Sequence, residues 1–122
     1  MNVSTNFSNT EQQSFFAGTE ISPLTTSVTL AAGQGTLKKG AVIGKVKADG
    51  KFKLVDKAAT DGSEVASLVL AEEVDTTGAD IAAVAYKRGI FRSEALYVAK
   101  GDTLGGHIDE LRNVSIYIKT DY

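Results

Sequence analysis

The fold class is decided by residues 42–55, which read VIGKVKADGKFKLV. Apolar residues alternate with lysines on both sides of the Asp49-Gly50 pair. A period of two is typical of β-strands with one buried face, and Asp-Gly between two such runs is a strong signal for a tight turn. These residues therefore predict a β-hairpin.

The register of this predicted hairpin follows from what its two faces would carry. A two-residue loop would set apolar residues opposite lysines. A three-residue loop, with Gly50 in the left-handed region, instead pairs Val46 with Phe52 and Gly44 with Leu54. The other face then carries four lysines, Lys45, Lys47, Lys51 and Lys53. We interpret this face as a solvated strand surface or, alternatively, as a contact face for an acidic partner.

The sequence on either side of the hairpin favours further strands. Val, Ile and Thr together number 30 against nine Leu, and from Leu24 onward they form short runs separated by Gly and Asp. Residues 65–74 begin with a continuous apolar run, which predicts a central strand covered on both faces. Another strand is predicted over Ile81 to Tyr86, followed by a turn at Lys87-Arg88-Gly89.

The C-terminal part of the chain predicts two short helices and a closing strand. Ser93 is placed to cap a helix over Glu94 to Ala99. A second helix is predicted over Ile108 to Arg112, and from Val114 onward apolar and polar residues alternate as in a strand. The expected fold class is mainly β, a compact domain with one or two short helices.

Residues 1–22 differ in composition from the rest of the chain. They are rich in Asn, Ser, Thr and Gln, show neither helical nor strand periodicity, and precede the single proline, Pro23. We interpret residues 1–22 as a flexible N-terminal arm and residues 23–122 as a β-rich domain. Large apolar side chains of the arm would either dock on the protein's own body or anchor it to another chain. They are Phe7, Phe15, Phe16 and Ile21.

Charge and composition exclude several classes of protein. The 13 basic and 15 acidic side chains give a net charge of −2, so no global positive field would hold nucleic acid. The absence of cysteine removes disulfides, thiol nucleophiles and cysteine-type zinc sites. The longest uncharged apolar run, residues 65–71, is too short to span a bilayer, and the start of the chain lacks a signal-peptide pattern. We therefore expect a protein made in the cytoplasm that binds neither nucleic acid nor membrane.

Candidate catalytic and ligand-binding residues are few. His107 is the only histidine, and no Gly-x-Ser-x-Gly turn accompanies it. The Gly33-Gln34-Gly35-Thr36 run lacks the remaining residues of a dinucleotide or phosphate loop, so it predicts a tight turn. The acidic residues between 72 and 80 lack the spacing of a calcium loop and predict a solvated rim. The sequence therefore indicates no enzyme activity, no cofactor and no metal.

Six short motifs follow one another in an order and spacing that together indicate a family. They are Gly40-Ala41-Val42-Ile43-Gly44, Asp49-Gly50-Lys51, Asp61-Gly62-Ser63, Ala71-Glu72-Glu73-Val74-Asp75, Gly89-Ile90-Phe91-Arg92 and Leu111-Arg112. In this order they resemble the lambda-type head decoration protein D family of tailed bacteriophages. The resemblance covers roughly residues 28–119.

The resemblance implies a fold and a function. It implies a β-clip-like or β-tulip domain that forms trimers on the outer surface of expanded phage heads, at three-fold and quasi-three-fold positions. The function implied is to cement the shell against the pressure of packaged DNA, with the major capsid protein and further copies of itself as partners. It also implies an N-terminal arm that adds a strand to a capsid-protein element.

An alternative interpretation is an adhesion or glycan-binding module displayed on a particle. Such a module would need aromatic side chains clustered on the surface of the folded body. The tyrosines are the candidates for that role: Tyr86, Tyr97, Tyr117 and Tyr122.

Overall fold

The structure is a computed structural model that describes residues 23–119. Within that range the chain forms eight strands. They are β1 Leu24–Leu30, β2 Thr36–Leu37, β3 Val42–Lys45, β4 Phe52–Leu54, β5 Leu68–Leu70, β6 Val74–Asp75, β7 Ile81–Arg92 and β8 Ile116–Lys119. The helical elements are a short α-helix, α1 Ile108–Arg112, and two 3-10 helices, Ser93–Ala95 and Leu104–His107. The mainly β class with little helix is confirmed.

Five of these strands form a closed ring. In the order β1-β4-β3-β5-β7 each strand is hydrogen-bonded to the next, and β7 pairs in turn with the whole length of β1. Strand β8 lies parallel to the C-terminal end of β7, whereas β2 and β6 pair separately as a two-stranded sheet. Because the ring closes on itself, most backbone groups of its strands are paired.

The buried apolar side chains form two clusters. The first consists of Val42, Val55, Ala66, Val69, Tyr86, Phe91, Leu96, Leu111 and Ile116. The second consists of Val28, Leu30, Leu37, Ala41, Ile43, Leu70, Val74, Ala83 and Ala85. Neighbouring residues of one strand enter different clusters, because successive side chains of a strand point to opposite faces.

Strands β3 and β5 lie between the two clusters. Val42 and Ile43 of β3 are both fully buried, and so are Val69 and Leu70 of β5. Strand β5 pairs with β3 on one edge and with β7 on the other. The prediction of a central strand covered on both faces is confirmed, although the strand is shorter than the apolar run that predicted it.

The predicted hairpin forms, but its predicted register is wrong by one residue. Strands β3 and β4 pair Ile43 with Leu54, and the next pairs follow the same antiparallel register. The loop spans residues 47–50 and is closed by a hydrogen bond from Gly50 N to Val46 O of 2.9 Å. Gly50 has a φ of 74°, so the left-handed conformation predicted for it is confirmed.

The register differs because β3 has no solvent-facing side over most of its length. Val42, Ile43 and Gly44 are all buried, so the assumption of one apolar and one solvated face fails. The observed pairs place Lys45 on the same face as Phe52, and Lys53 on the same face as Gly44. The four lysines of the hairpin therefore do not share one face.

The predicted turn at Lys87-Arg88-Gly89 does not form. The chain continues through these residues as one strand, Ile81–Arg92. One end of this strand pairs with β1 and the other with β8, and these partners hold the intervening residues extended. A shift in the β1–β7 register beside Leu24 marks a local irregularity of the ladder.

The helix predicted over Glu94 to Ala99 is also wrong. Only one 3-10 turn forms, Ser93–Ala95, and Ser93 is its first residue rather than its cap. Beyond it the backbone of Tyr97 pairs with residues 40–42, donating to Gly40 O and accepting from Val42 N. This long-range pairing outweighs the weak local preference for helix.

The predicted C-terminal helix and closing strand are both present. The helix occupies Ile108–Arg112, as predicted. The strand begins at Ile116 rather than at Val114, because residues 113–115 form a turn in which Ser115 has a φ of 69°. Val114 remains 40% exposed as a result.

Candidate functional site

The residues predicted to anchor the arm lie outside the described residues. They are Phe7, Phe15, Phe16 and Ile21. The first described residue, Pro23, is followed directly by β1.

The four lysines of the predicted contact face differ in their surroundings. Lys51 Nζ lies 2.5 Å from Asp80 Oδ2, and Lys53 Nζ lies 3.0 Å from Asp61 Oδ2. Lys45 and Lys47 are exposed. Two of the lysines thus pair with carboxylates of the protein itself, and Lys45 and Lys47 are the pair left to meet solvent or a partner.

The tip of the hairpin is held by the loop at residues 61–63. Lys47 N donates to Asp61 O at 2.8 Å, and Asp61 Oδ1 accepts from the N–H and the hydroxyl of Ser63. The hydrogen bonds from Ser63, together with Lys53, hold the pKa of the Asp61 carboxyl well below its usual range. The loop therefore fixes the position of the two exposed lysines relative to the ring.

One strand of the ring has an edge that the described chain leaves open. Strand β1 pairs with β7 along one edge, but on its other edge β4 reaches only Leu30. The side chains of Thr25, Ser27 and Thr29 are exposed. Among residues 23–119, the backbone from Leu24 to Val28 thus has a hydrogen-bonded neighbour on one side and none on the other.

His107 is buried between two carboxylates. Its side chain is 3% exposed, with Nε2 2.6 Å from Asp102 Oδ2 and Nδ1 2.5 Å from Glu110 Oε1. Burial lowers the pKa of His107, but the hydrogen bonds to Glu110 and Asp102 raise it more, so the net pKa lies above its usual value. With an acceptor at each nitrogen, the imidazolium form satisfies both carboxylates.

The carboxylates around His107 also hold neighbouring loops. Asp102 Oδ2 accepts from Lys57 N at 2.9 Å, and Glu110 Oε1 accepts from Ala66 N at 2.8 Å. The cluster thus joins the segment after β4, the segment before β5 and helix α1. Its groups satisfy one another through these hydrogen bonds, so the arrangement is that of a structural cluster.

The glycine-rich run forms the predicted tight turn. Gly33 and Gly35 both have positive φ, and the side chain of Gln34 joins Ala31, the residue after β1, to β4. The Gln34 side chain donates to Phe52 O at 3.2 Å and accepts from Leu54 N at 2.8 Å. The run therefore closes the ring between β1 and β4, a structural role that accounts for its sequence.

The aromatic side chains of the described body do not gather on its surface. Tyr86 is 9% exposed and its ring lies 5.6 Å from that of Phe91. The hydroxyl of Tyr97 accepts from Lys38 N at 2.7 Å, and Tyr117 is half-buried. Tyr122 lies outside the described residues. This arrangement gives a glycan no stacking platform within residues 23–119.

Two kinds of feature are absent from residues 23–119, a metal-binding cluster and a membrane-spanning helix. These residues contain no group of three or more His, Cys, Asp or Glu side chains arranged to hold a metal ion. They also contain no helix of the length and hydropathy needed to cross a membrane.

Sequence reasoning missed two features that the structure reveals. The open edge of β1 has a signal in the sequence, since residues 21–37 contain no charged side chain. The cluster around His107 has a weaker signal, the spacing of three residues between His107 and Glu110, which brings them together on one helical turn. The partner Asp102 carries no comparable signal.

Comparison with known protein families gives a match over most of the chain. The family model described as bacteriophage lambda head decoration protein D matches residues 6–110. The matched range contains five of the six motifs on which the resemblance rests, and the resemblance is thereby confirmed. A search of the curated proteins found no match.

Proposed function

The chain belongs to the bacteriophage lambda head decoration protein D family, and we propose that it cements the phage head as a trimer on the outer surface of the expanded shell. As a member of this family it is a phage head decoration protein and a component of the virion. The observation that carries the proposal is the family match over residues 6–110. The proposed role is structural and includes no catalysis.

The physical basis of cementing is multivalency. A thin shell under outward pressure from packaged DNA fails where neighbouring capsomers separate. A trimer seated at three-fold and quasi-three-fold positions would contact several capsomers at once, and each contact would hold the others at high effective concentration. Contacts that are individually weak would then resist separation together.

The proposed anchor to the major capsid protein is the arm, residues 1–22, and the proposed body is residues 23–122. Fully extended, 22 residues reach about 70 Å at ~3.3 Å each, which is long enough to extend beyond the footprint of the body. An extended segment can add a strand to an exposed sheet edge, with pockets for alternate side chains supplying specificity. Phe7, Phe15, Phe16 and Ile21 are the side chains we propose for such pockets.

The charge of the chain agrees with an outer position. A net charge of −2 gives no general attraction to DNA, which a protein on the outside of a filled head does not need. We propose that its partners are the major capsid protein and two further copies of itself. We assign no role to nucleic acid or membrane.

Sedimentation with heads tests the proposal. Purified protein is mixed with expanded heads that lack it, and with unexpanded heads as the matched control. We expect saturable co-sedimentation with expanded heads, at three copies per three-fold or quasi-three-fold position. Filled heads should then retain their DNA to a higher temperature when decorated. Absence of saturable binding to expanded heads would contradict the proposal.

A further inference from the structure

The chain contains two Asp-Gly pairs, Asp49-Gly50 and Asp61-Gly62. In such a pair the backbone nitrogen of glycine can attack Cγ of the aspartate, because glycine has no side chain to block the approach and leaves the backbone free to bend. No asparagine of the chain precedes a glycine, so the related reaction of Asn-Gly has no site. The two Asp-Gly pairs are therefore the positions where cyclisation of the chain meets the least steric resistance.

This reaction rearranges the backbone and leaves the composition unchanged. At the hairpin tip, Gly50 N would form a bond to Asp49 Cγ, lose its proton and expel one carboxyl oxygen as water, which gives a five-membered succinimide. One water then adds to either ring carbonyl and breaks its bond to the nitrogen. Cleavage at Cγ restores aspartate. Cleavage at the backbone carbonyl leaves isoaspartate, which has one more main-chain atom and the same charge.

The Asp49-Gly50 pair lies in the exposed loop of the hairpin, where both reacting groups are lightly held. Asp49 is exposed, and its Oδ1 accepts from Lys51 N at 3.0 Å. Gly50 N donates to Val46 O at 2.9 Å, a bond that closes the same short loop. Exposed loops open locally at a small fraction of the free energy of global unfolding. One local opening therefore frees the nitrogen and the carboxyl group together.

The carboxyl group of the second pair is held more firmly. Asp61 Oδ1 accepts from the N–H and the hydroxyl of Ser63, and Asp61 Oδ2 accepts from Lys53 Nζ at 3.0 Å. The bonds from Ser63, together with Lys53, hold the pKa of Asp61 well below its usual range and keep the group ionised. An ionised carboxylate is a poor target for the attack, because its oxygen leaves as water only after protonation.

The nitrogen of the second pair is held as well. Gly62 is buried, and its N–H donates to Glu64 Oε1 at 2.8 Å. A Cβ built at Gly62 would lie 2.7 Å from Lys47 Cγ and 2.8 Å from Lys45 O. The backbone at Gly62 is thus packed against the hairpin and has little room to bend toward the carboxyl group.

We propose that Asp49 is a site of spontaneous isomerisation to isoaspartate in the folded protein, and that the fold protects Asp61 from the same reaction. The reaction needs only the chain and water, so it does not depend on the proposed function. Its product lengthens the main chain of the hairpin loop by one atom. Since a released virion makes no new protein, isoaspartate at position 49 would accumulate as the virion ages.

Ageing of the unmodified full-length protein tests the proposal. One sample is kept folded at mildly acidic pH, and a matched sample is kept unfolded in guanidinium chloride at the same pH and temperature. The peptides that cover each pair are separated by chromatography and assigned by electron-transfer fragmentation, because aspartate and isoaspartate have equal mass. In the folded sample we expect about tenfold more isoaspartate at position 49 than at position 61, and in the unfolded sample similar amounts.

Two variants test which groups set the difference, and circular dichroism confirms that each is folded. Ser63→Ala removes the hydroxyl that donates to Asp61 Oδ1, so isoaspartate at position 61 should increase while position 49 is unaffected. Asp49→Glu is the matched control at the reactive pair. It keeps the charge, but its longer side chain would have to close a six-membered ring, which forms far more slowly. No isomerisation is expected at position 49 of this variant.

The outcomes decide the proposal on the unmodified protein alone. Equal isoaspartate at positions 49 and 61 of the folded sample would overturn it, and so would an absence of isoaspartate at position 49. A larger amount at position 49 in both the folded and the unfolded sample would overturn the protection assigned to the fold. An unchanged amount at position 61 of folded Ser63→Ala would overturn the role given to the Ser63 hydroxyl in that protection.

Discussion

At the scale of single residues, Gly44 shows how a missing side chain sets the packing of the body. A Cβ built at Gly44 would lie 2.5 Å from Val65 O and closer still to Ser63 O. Both neighbours are backbone atoms, which cannot turn aside as a flexible side chain can. The loop at residues 63–65 therefore lies directly on β3 only because residue 44 is glycine.

We expect Gly44→Ala to destabilise the protein by about 1–3 kcal/mol or more, because the added methyl group forces the backbone apart. Gly78→Ala is the control, since a Cβ at Gly78 would meet nothing within 4 Å. Urea unfolding followed by circular dichroism measures both variants. Equal stability of the two would show that the 63–65 loop can move at little cost.

His107 gives a prediction about pH. Its folded pKa lies above the unfolded value of 6.5, so its stabilising contribution is complete below pH 6.5 and is lost as the pH rises through the folded pKa. We expect the urea midpoint of the unmodified protein to fall on going from about pH 6 to about pH 9. Burial raises the pKa of the Asp102 carboxyl, but its hydrogen bonds from His107, Thr103 and Lys57 lower it more, so Asp102 stays ionised throughout this window.

The variant His107→Gln removes the titrating group and keeps a donor near the carboxylates. It should be less stable than the unmodified protein near pH 6, and its urea midpoint should depend less on pH. The pH dependence of the imidazole resonances, followed by NMR, reports the folded pKa directly. If the urea midpoints of the unmodified protein and of His107→Gln fall equally as the pH rises, the pH dependence comes from groups other than His107.

At the scale of elements, the hairpin shows what the sequence can predict and where it stops. Asp49-Gly50 located the turn, because only a few residue types suit its backbone. The register of the hairpin could not be deduced from its own residues. It depends on the second cluster of buried apolar side chains and on the loop at residues 63–65, which covers Gly44. The same limit applies to Lys87-Arg88-Gly89, which resembles a turn but is held extended by strands from distant parts of the chain.

We expect Gly50→Val to cost about 1–2 kcal/mol, because a β-branched residue is strained in the left-handed region. Ala48→Val is the matched control in the same loop, at a position without a positive φ. Urea midpoints compare the two. A Gly50→Val variant as stable as the control would mean that the loop adopts another conformation at low cost.

The lysines of the hairpin divide into two pairs with different expected behaviour. Lys53→Glu places a negative charge beside Asp61 and should lower the urea midpoint. The double change Lys45→Glu and Lys47→Glu affects exposed side chains and should leave the midpoint nearly unchanged. Head binding by the double variant then tests these two lysines as a contact. Unchanged head binding would show that Lys45 and Lys47 face solvent and do not contact the head.

At the scale of the whole molecule, the arm and the body are expected to have separable roles. Deletion of residues 2–22 should change the free energy of unfolding by no more than about 1 kcal/mol, because the body has its own two clusters. Head binding should weaken by a factor of ten or more, about 1.4 kcal/mol per site. Calorimetry and co-sedimentation measure the two effects. Head binding as tight as that of the full chain, or unfolding of the truncated body, would contradict the role assigned to the arm.

The order in which the ribosome makes the strands has a consequence for how this ring assembles. Strand β1 is the first described strand to be made, yet its partner residues run from Ile81 to Arg88, about half the chain length away. Pairings between such distant residues close late and slowly compared with local hairpins. When the nascent chain has been made only as far as the β3–β4 hairpin, β1 therefore still lacks β7, the strand whose pairing with it closes the ring. The body can form only after β7 has emerged, so β1 stays without its long partner while all the strands between them are made.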